Sequence, residues 1–168
     1  KNLLYVSALC ACMSFSFMGC SDDDDKQEIP SLPEQISLNG VYVLNSGKQE
    51  SNNSSLSFYD FETKKVEADI FKKVNGRGLG DTANDILVYG SKAYIAVTNS
   101  NTIEVIDLQG KSLKQIVSDG DPLQPRFFSC YNGKVYVSLY GGYVARLDTT
   151  SLTIESKVKV GRNPEQMA

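Results

Sequence analysis

The sequence predicts an all-β fold, a β-propeller of four-stranded antiparallel blades, with about three blades present in this chain. Three observations support this fold class. The body contains short alternating runs that are rich in Val, Ile, Tyr and Phe. These runs recur with a period near 42 residues, and an aspartate closes one run in each copy. A period of this length filled with short strands is typical of propeller blades. No helical periodicity extends over more than one turn.

The first repeated pattern is a strand with a central tyrosine. Its residue types suit a pleated, half-buried surface. Tyr42, Tyr94 and Tyr136 occupy equivalent places, separated by 52 and then 42 residues. The three copies are GVYVLN (40 to 45), KAYIAV (92 to 97) and KVYVSL (134 to 139).

The second repeated pattern ends in an aspartate. Asp60, Asp107 and Asp148 are separated by 47 and then 41 residues. Each stands where a hairpin turn should begin, and a short carboxylate there can accept hydrogen bonds from the backbone two residues on. We therefore predict a structural role for them. The copies are LSFYDFETKK (56 to 65), IEVIDLQGKS (103 to 112) and VARLDTTSLT (144 to 153).

These patterns divide the body into repeats at about 38–84, 85–125 and 126–168. Tight hairpins such as YGSK and YNGK join the first and second strands, with a glycine available for positive φ. We predict that the first repeat begins at its second strand, because QISL (35 to 38) is a poor inner strand. In the second repeat we predict strands DILVY (85 to 89), AYIAV (93 to 97), TIEVIDL (102 to 108) and SLKQIVS (112 to 118).

Residues 1–19 predict a secretory signal. Lys1 is the only charge in a run that is otherwise apolar or small, as in such signals. A transmembrane anchor is the alternative, although the run is marginal for a span of about 20 residues. FMGC (17 to 20) resembles a bacterial lipobox, with Phe17 where leucine is preferred. The resemblance implies cleavage before Cys20 and a lipid on its sulfur.

Residues 20–37 predict an exposed linker. The run SDDDDKQE is strongly hydrated and self-repelling, so it cannot pack into a core. An acidic run directly after the lipidated cysteine resembles the surface-export signal of lipoproteins in the Bacteroidota, which implies a location on the outer membrane, facing outward. The alternative is a disordered linker that carries no export signal. The export-signal residues are Ser21, Asp22, Asp23, Asp24 and Asp25.

The pattern VYV…VIDL…VG..P resembles the YncE-like, or YVTN, family of β-propellers. GRGLGDTAND and GRNPEQMA are similar to surface lipoproteins of gut Bacteroidota built on that fold. The resemblance covers about residues 38–168 and implies a wheel of typically seven blades. We therefore expect this chain to be part of a longer protein. Relatives in that group bind cobalamin, which implies a small-molecule ligand and a TonB-dependent transporter as partner.

Composition excludes several function classes. The body from Leu38 onward carries 15 Lys and Arg against 14 Asp and Glu, without the basic stripe that nucleic-acid binding requires. Histidine is absent, so we expect no enzymatic activity, no metal site and no cofactor in these blades. Cys130 is the one cysteine left for the folded body, and a single cysteine cannot form a disulfide framework. We predict that its thiol is buried.

Strand order places the loops between second and third strands, and those between blades, at one face. The longest connections, LNSGKQESNNSS (44 to 55) and VNGRGLGDTAND (74 to 85), fall there, where a rigid scaffold tolerates variation. NGRGLG lacks the setting of a phosphate loop, and DGD (119 to 121) suits a turn better than a calcium site. The predicted ligand contacts are Asn45, Arg77, Asn84, Asp85, Asn99, Arg126, Tyr140 and Arg162.

Three functions are compatible with this arrangement. The first is a lipid-anchored surface protein that captures a ligand such as cobalamin for an outer-membrane transporter. The second is an adhesion module for proteins or glycans. The third is a propeller lactonase or lyase whose catalytic residues lie in further blades.

Overall fold

A computed structural model describes residues 38–118 and 120–168 and shows three antiparallel sheets. The predicted all-β propeller-blade architecture is confirmed. Residues 1–37, with the predicted signal, Cys20 and the acidic run, lie outside the described residues. The elements are β1 (Gly40–Asn45), β2 (Ser55–Asp60), β3 (Val66–Glu67), α1 (Ile70–Asn75), β4 (Ala83–Tyr89), β5 (Lys92–Val97), β6 (Thr102–Asp107), β7 (Ser112–Ile116), β8 (Pro125–Tyr131), β9 (Lys134–Leu139), β10 (Tyr143–Asp148) and β11 (Thr153–Lys159).

The second and third blades are four-stranded meanders in chain order, β4 to β7 and β8 to β11. Each strand therefore pairs with the next along the chain, as short hairpins require. Gly90 and Gly133 turn the first hairpin of each blade with φ of 62° and 78°, conformations that a glycine adopts without steric cost. The four strands predicted for the second repeat are all present, and β4 extends two residues further toward the N-terminus.

The first blade differs from the other two. Within the described residues it has three strands, β1, β2 and the two-residue β3, so its sheet begins at the tyrosine-bearing strand. The helix α1 follows β3 and was not predicted. Asp69 caps it by accepting from the Lys72 N–H, and Gly76 ends it in a left-handed conformation. Its buried Ile70 and Phe71 pack the helix against the blade.

Two apolar clusters hold the blades together. One lies between the first and second blades and includes Leu56, Phe71 and Ile95. The other lies between the second and third blades and includes Tyr94, Leu123 and Val137. Alternation along a strand sends successive side chains to opposite faces, so the second blade contributes to both clusters. Burying each large aliphatic side chain contributes about 1.5–3 kcal/mol.

The recurrent aspartates cap turns, as predicted. Asp60 Oδ1 accepts from the backbone N–H groups of Glu62 and Thr63 at 2.9 and 2.6 Å. Asp107 Oδ1 accepts from those of Gln109 and Lys111 at 2.9 and 2.8 Å, and Asp148 Oδ1 from those of Thr150 and Ser151 at 2.9 and 2.6 Å. The carboxylates thus satisfy turn amides that lack strand partners.

The recurrent tyrosines join neighbouring blades. The Tyr42 hydroxyl donates to the Leu108 carbonyl in the next blade at 2.7 Å, and burial raises the pKa of Tyr42 to about 12. Tyr94 packs against Phe128 in the third blade with ring centroids 6.3 Å apart. Tyr42 thus uses both its ring and its hydroxyl to join the blades, whereas Tyr94 uses its ring, because its buried hydroxyl has no hydrogen-bond partner among the described residues.

The prediction for Cys130 was wrong. Cys130 is exposed near the end of β8, where its strand-neighbour Tyr131 is also 76% exposed. Cys130 lies two residues after the buried Phe128 and therefore on the same face of β8, but it stands near the end of a strand at the edge of the sheet, beyond the part that the core covers. In the described part of the chain, the short helix α1 falls well below the length and apolarity needed to cross a membrane.

Candidate functional site

The loops between second and third strands and the connections between blades meet at one end of the blades, which we call the loop face. They are tied together by backbone hydrogen bonds. The Ser54 N–H donates to the Gly80 carbonyl at 3.0 Å, and the Thr98 N–H donates to the Thr82 carbonyl at 2.9 Å. The Tyr140 N–H likewise donates to the Gln124 carbonyl at 3.1 Å. The loop face is therefore a continuous surface.

The long loop of the first blade is held by its own polar groups. The Lys48 N–H donates to Asn53 Oδ1 at 2.9 Å, and the Glu50 N–H donates to Asp81 Oδ2 at 2.9 Å. Ser54 Oγ accepts from the Ala83 N–H, which connects the loop to the start of β4. The extra residues therefore form an ordered loop that packs beside the connection leading into the second blade.

A left-handed residue stands at three equivalent connections: before the second blade, before the third blade and after β11. Thr82, Gln124 and Asn163 have φ of 57°, 43° and 50°, a conformation uncommon for residues other than glycine. They open the segments TAND (82 to 85), QPRF (124 to 127) and NPEQ (163 to 166). The third residue of each segment is Asn84, Arg126 or Glu165, and we call these three the entrance residues.

Two contacts link the three entrance residues in chain order. Asn84 Nδ2 donates to the Arg126 carbonyl at 2.8 Å. The Arg126 guanidinium then pairs with the Glu165 carboxylate, with Nε and Nη2 lying 3.2 and 3.3 Å from its two oxygens. The strands β4 and β8 that begin here lie against one another, so the entrance residues follow one another from blade to blade.

Tyr140 completes a cluster with Arg126 and Glu165. The Arg126 guanidinium carbon lies 4.5 Å from the centre of the Tyr140 ring, a cation–π contact. The Tyr140 hydroxyl donates to Glu165 Oε1 at 2.5 Å. That bond lowers the pKa of Glu165 and raises the pKa of Tyr140, because it stabilises the charged carboxylate and occupies the phenol proton.

Asp85 lies beside this cluster at a β-bulge. Its Oδ2 accepts from the Phe128 N–H at 2.7 Å, and the bulge falls between Ala83 and Asp85 in the pairing of β4 with β5. The third blade has a bulge at the same point, between Pro125 and Phe128. A cavity of about 380 Å³ adjoins these positions and is lined by Asp85, Phe127, Phe128, Gln166, Met167 and Ala168.

Four of the eight predicted contacts are thus brought together by the fold: Asn84, Asp85, Arg126 and Tyr140. The other four are separate. Asn45 bonds the Ser55 and Ser57 hydroxyls at 3.2 Å each, within the first blade. Asn99 and Arg162 are exposed on the loop face.

Arg77 has a structural role that the sequence did not reveal. Its Nη2 lies 2.8 Å from Oε1 of Glu104, whose side chain is 0% exposed. The Ser112 hydroxyl and Gln115 Nε2 also donate to this carboxylate. The guanidinium additionally lies 4.8 Å from the Phe71 ring centre. Arg77 therefore neutralises a buried acid, while 41% of its own side chain is exposed, and a ligand contact at Arg77 stays a prediction.

Glu165 was not among the predicted contacts. The phrase GRNPEQ was interpreted only as a connection between blades. Aligning TAND, QPRF and NPEQ would have placed Glu165 in the same column as Asn84 and Arg126.

Residues 38–118 and 120–168 contain no group of three or more acidic, cysteine or histidine side chains placed to hold a metal ion. Of the DGD motif, Asp119 falls outside the described residues.

Comparison with solved structures shows a similar fold in sequences of low identity. The chain is similar to the hydrazine synthase of Kuenenia stuttgartiensis at 18% identity and a TM-score of 0.57, over 84% of this chain and 40% of that one. It is also similar to the computationally designed Ika8 protein at 13% identity and a TM-score of 0.54, over 77% and 36%. The chain thus spans less than half the length of these structures.

A search of curated proteins gives no match. The family described as a domain of unknown function, DUF5074, matches residues 39–167, which is the whole of the body that forms the blades. The chain therefore belongs to the DUF5074 family.

Proposed function

We propose that the protein is a surface-anchored binding protein whose loop face captures a small polar ligand for an outer-membrane transporter. The observation that carries this proposal is the convergence of Asn84, Arg126, Tyr140 and Asp85 beside a cavity. Hydrogen-bonding and stacking groups gathered on a rigid scaffold are what ligand recognition requires. The cluster has no nucleophile paired with a base, which favours binding over catalysis.

The anchor comes from the sequence before the blades. FMGC supports cleavage before Cys20 and lipidation there, and stable attachment needs more than one acyl chain. The acidic run that follows supports export to the outward side of the outer membrane. Mass spectrometry of the protein from its native host should find Cys20 as the acylated N-terminal residue. An unmodified Cys20 would contradict the anchor.

Cobalamin is the ligand that we propose first. The resemblance of GRGLGDTAND and GRNPEQMA to the cobalamin-capturing lipoproteins supports it, as does a broad, nearly neutral face with Asn, Tyr and Arg side chains. A TonB-dependent transporter would then be the partner that receives the ligand. A neighbouring gene for such a transporter would strengthen this part of the proposal.

Calorimetric titration of the full-length protein with cyanocobalamin tests the ligand. We expect heat of binding that is lost in Tyr140→Ala, because the ring that supports the Arg126 guanidinium is then removed. Arg146→Gln is the matched control, since Arg146 pairs with Glu155 on β10 and β11 away from the cluster. Absence of heat at high micromolar cobalamin, or equal loss in the control, would exclude this assignment.

A further inference from the structure

We propose that Arg126 and Tyr140 form a receptor for a carboxylate or phosphate group of the ligand, and that Glu165 occupies this receptor until the ligand arrives. The proposal deepens the proposed function, on which it rests, by assigning a chemical class to part of the captured molecule. It gives Glu165 the role of an internal substitute for the ligand's anionic group.

The donor geometry is the first argument. Three donors converge on one carboxylate: Arg126 Nε at 3.2 Å, Arg126 Nη2 at 3.3 Å and the Tyr140 hydroxyl at 2.5 Å. A two-point guanidinium contact with a further donor is the arrangement by which proteins recognise planar oxyanions. Any carboxylate or phosphate placed at the position of the Glu165 carboxylate would meet the same three donors.

The rigidity of the donors is the second argument. The Arg126 guanidinium lies 4.5 Å from the Tyr140 ring centre and 5.6 Å from the Phe127 ring centre. The Arg126 side chain is only 18% exposed, and Asn84 holds its backbone carbonyl. Donors that are already ordered lose little conformational freedom when a ligand binds. The receptor is therefore preorganised with or without Glu165.

The accessibility of Glu165 is the third argument. Its side chain is 45% exposed, and it follows β11 in a segment without strand pairing. Exposed ion pairs contribute little to stability, so a competing anion can replace Glu165 at small cost. Arg77 and Glu104 show the opposite case, because the Glu104 side chain is 0% exposed and no solute can reach it.

Removing the internal carboxylate tests the proposal. We would titrate the full-length protein and its Glu165→Ala variant with sodium acetate and, separately, with inorganic phosphate at constant ionic strength. The readout is the NMR signal of the Arg126 Nε–H. We expect Glu165→Ala to bind at least one of these anions at least about tenfold more tightly, because the anion no longer has to displace hydrogen bonds to a charged group.

Two further variants separate this proposal from a purely structural cluster. Arg126→Gln added to Glu165→Ala should abolish anion binding, whereas Arg146→Gln in the same background should leave it unchanged, since Arg146 pairs with Glu155 outside the cluster. Glu165→Gln replaces Glu165→Ala if the alanine variant does not fold. Lowered stability without gained anion binding, or binding that survives Arg126→Gln, would overturn the proposal.

The outcome is independent of the cobalamin titration. Anion binding to Glu165→Ala reports on the receptor even if cobalamin does not bind. Two results together would remove only the receptor and leave the capture function intact. Cobalamin binding would be unaffected by acetate and phosphate, and neither glutamate variant would bind an anion.

Discussion

At the scale of single residues, carboxylates of this chain serve three different purposes. Asp107 accepts from turn amides, Glu104 neutralises Arg77 inside the protein, and Glu165 holds Arg126 near the surface. Their surroundings explain the difference, because burial decides whether a charge must be paired permanently or can exchange partners. The turn role was predictable, since it depends on amides two to four residues away.

Acid should destabilise the protein through these carboxylates. Turn amides and Lys134 lower the pKa of Asp148, turn contacts with Thr63 lower that of Asp60, and the Tyr140 hydroxyl lowers that of Glu165. A pKa lowered in the folded state means stability that is present above the unfolded-state pKa and is lost as pH falls through the folded-state pKa. We expect the urea midpoint to fall steadily below about pH 4.

The control for this pH dependence is Asp148→Asn, which keeps an acceptor oxygen but cannot titrate. Its urea midpoint should change less between pH 5 and pH 2 than that of the unchanged chain, with both values measured by circular dichroism. The same slope in both proteins would show that Asp148 does not contribute to acid unfolding.

Arg77→Ala should cost stability through the buried Glu104. Removing one partner of a buried ion pair costs about 3–5 kcal/mol, and the remaining donors Ser112 and Gln115 place the expected loss near 2–3 kcal/mol. Urea unfolding at pH 7 measures it. Arg162→Ala is the control, because Arg162 is exposed. A loss below about 0.5 kcal/mol, the range of ordinary surface substitutions, would contradict the structural role of Arg77.

At the scale of elements, the strands could be predicted and the helix could not. The four strands of the second blade follow from period-2 alternation and from local turn residues. The helix α1 has six residues, IFKKVN, which is too short for a periodic pattern to distinguish it from a strand. Its position depends on Ile70 and Phe71 filling the outer part of the first blade, a tertiary effect.

Phe71→Ala should test how far α1 stabilises the first blade. Phe71 is 0% exposed, and truncating a buried phenylalanine typically costs about 3–5 kcal/mol. The free energy of urea unfolding should fall by that amount. Val74→Ala in the same helix should cost less than about 1 kcal/mol, because Val74 is 49% exposed. Equal losses would mean that α1 is not anchored by Phe71.

The candidate site could be predicted only in part for a related reason. Arg126 and Tyr140 belong to the third blade, and Glu165 lies 39 residues after Arg126. Their meeting depends on how blades stack, which no local pattern encodes. Aligning TAND, QPRF and NPEQ makes Asn84, Arg126 and Glu165 equivalent, and the left-handed residues that open these segments establish the register of that alignment.

At the scale of the whole molecule, the described residues expose apolar side chains on the first and the third blade. Val41 and Val43 on β1 are 44% and 43% exposed, and Val158 and Val160 of the third blade are 62% and 54% exposed. Apolar side chains on unpartnered sheet faces and free strand edges favour association. The 168-residue chain expressed alone should therefore be oligomeric or insoluble.

Light scattering after size-exclusion chromatography measures this association. Val43→Lys combined with Val158→Lys should shift the population toward monomer, because a charge on each exposed face opposes its burial. A sharp monodisperse monomer for the unchanged chain would contradict the prediction.

The left-handed backbone at Thr82, Gln124 and Asn163 has a consequence for how the loop face of this fold can diversify. The main chain fixes where the side chain two positions later stands, whatever its chemistry, as the amide, guanidinium and carboxylate found at successive copies illustrate. Exchanging a single side chain at one of these positions can therefore create a new specificity while the backbone scaffold stays unaltered.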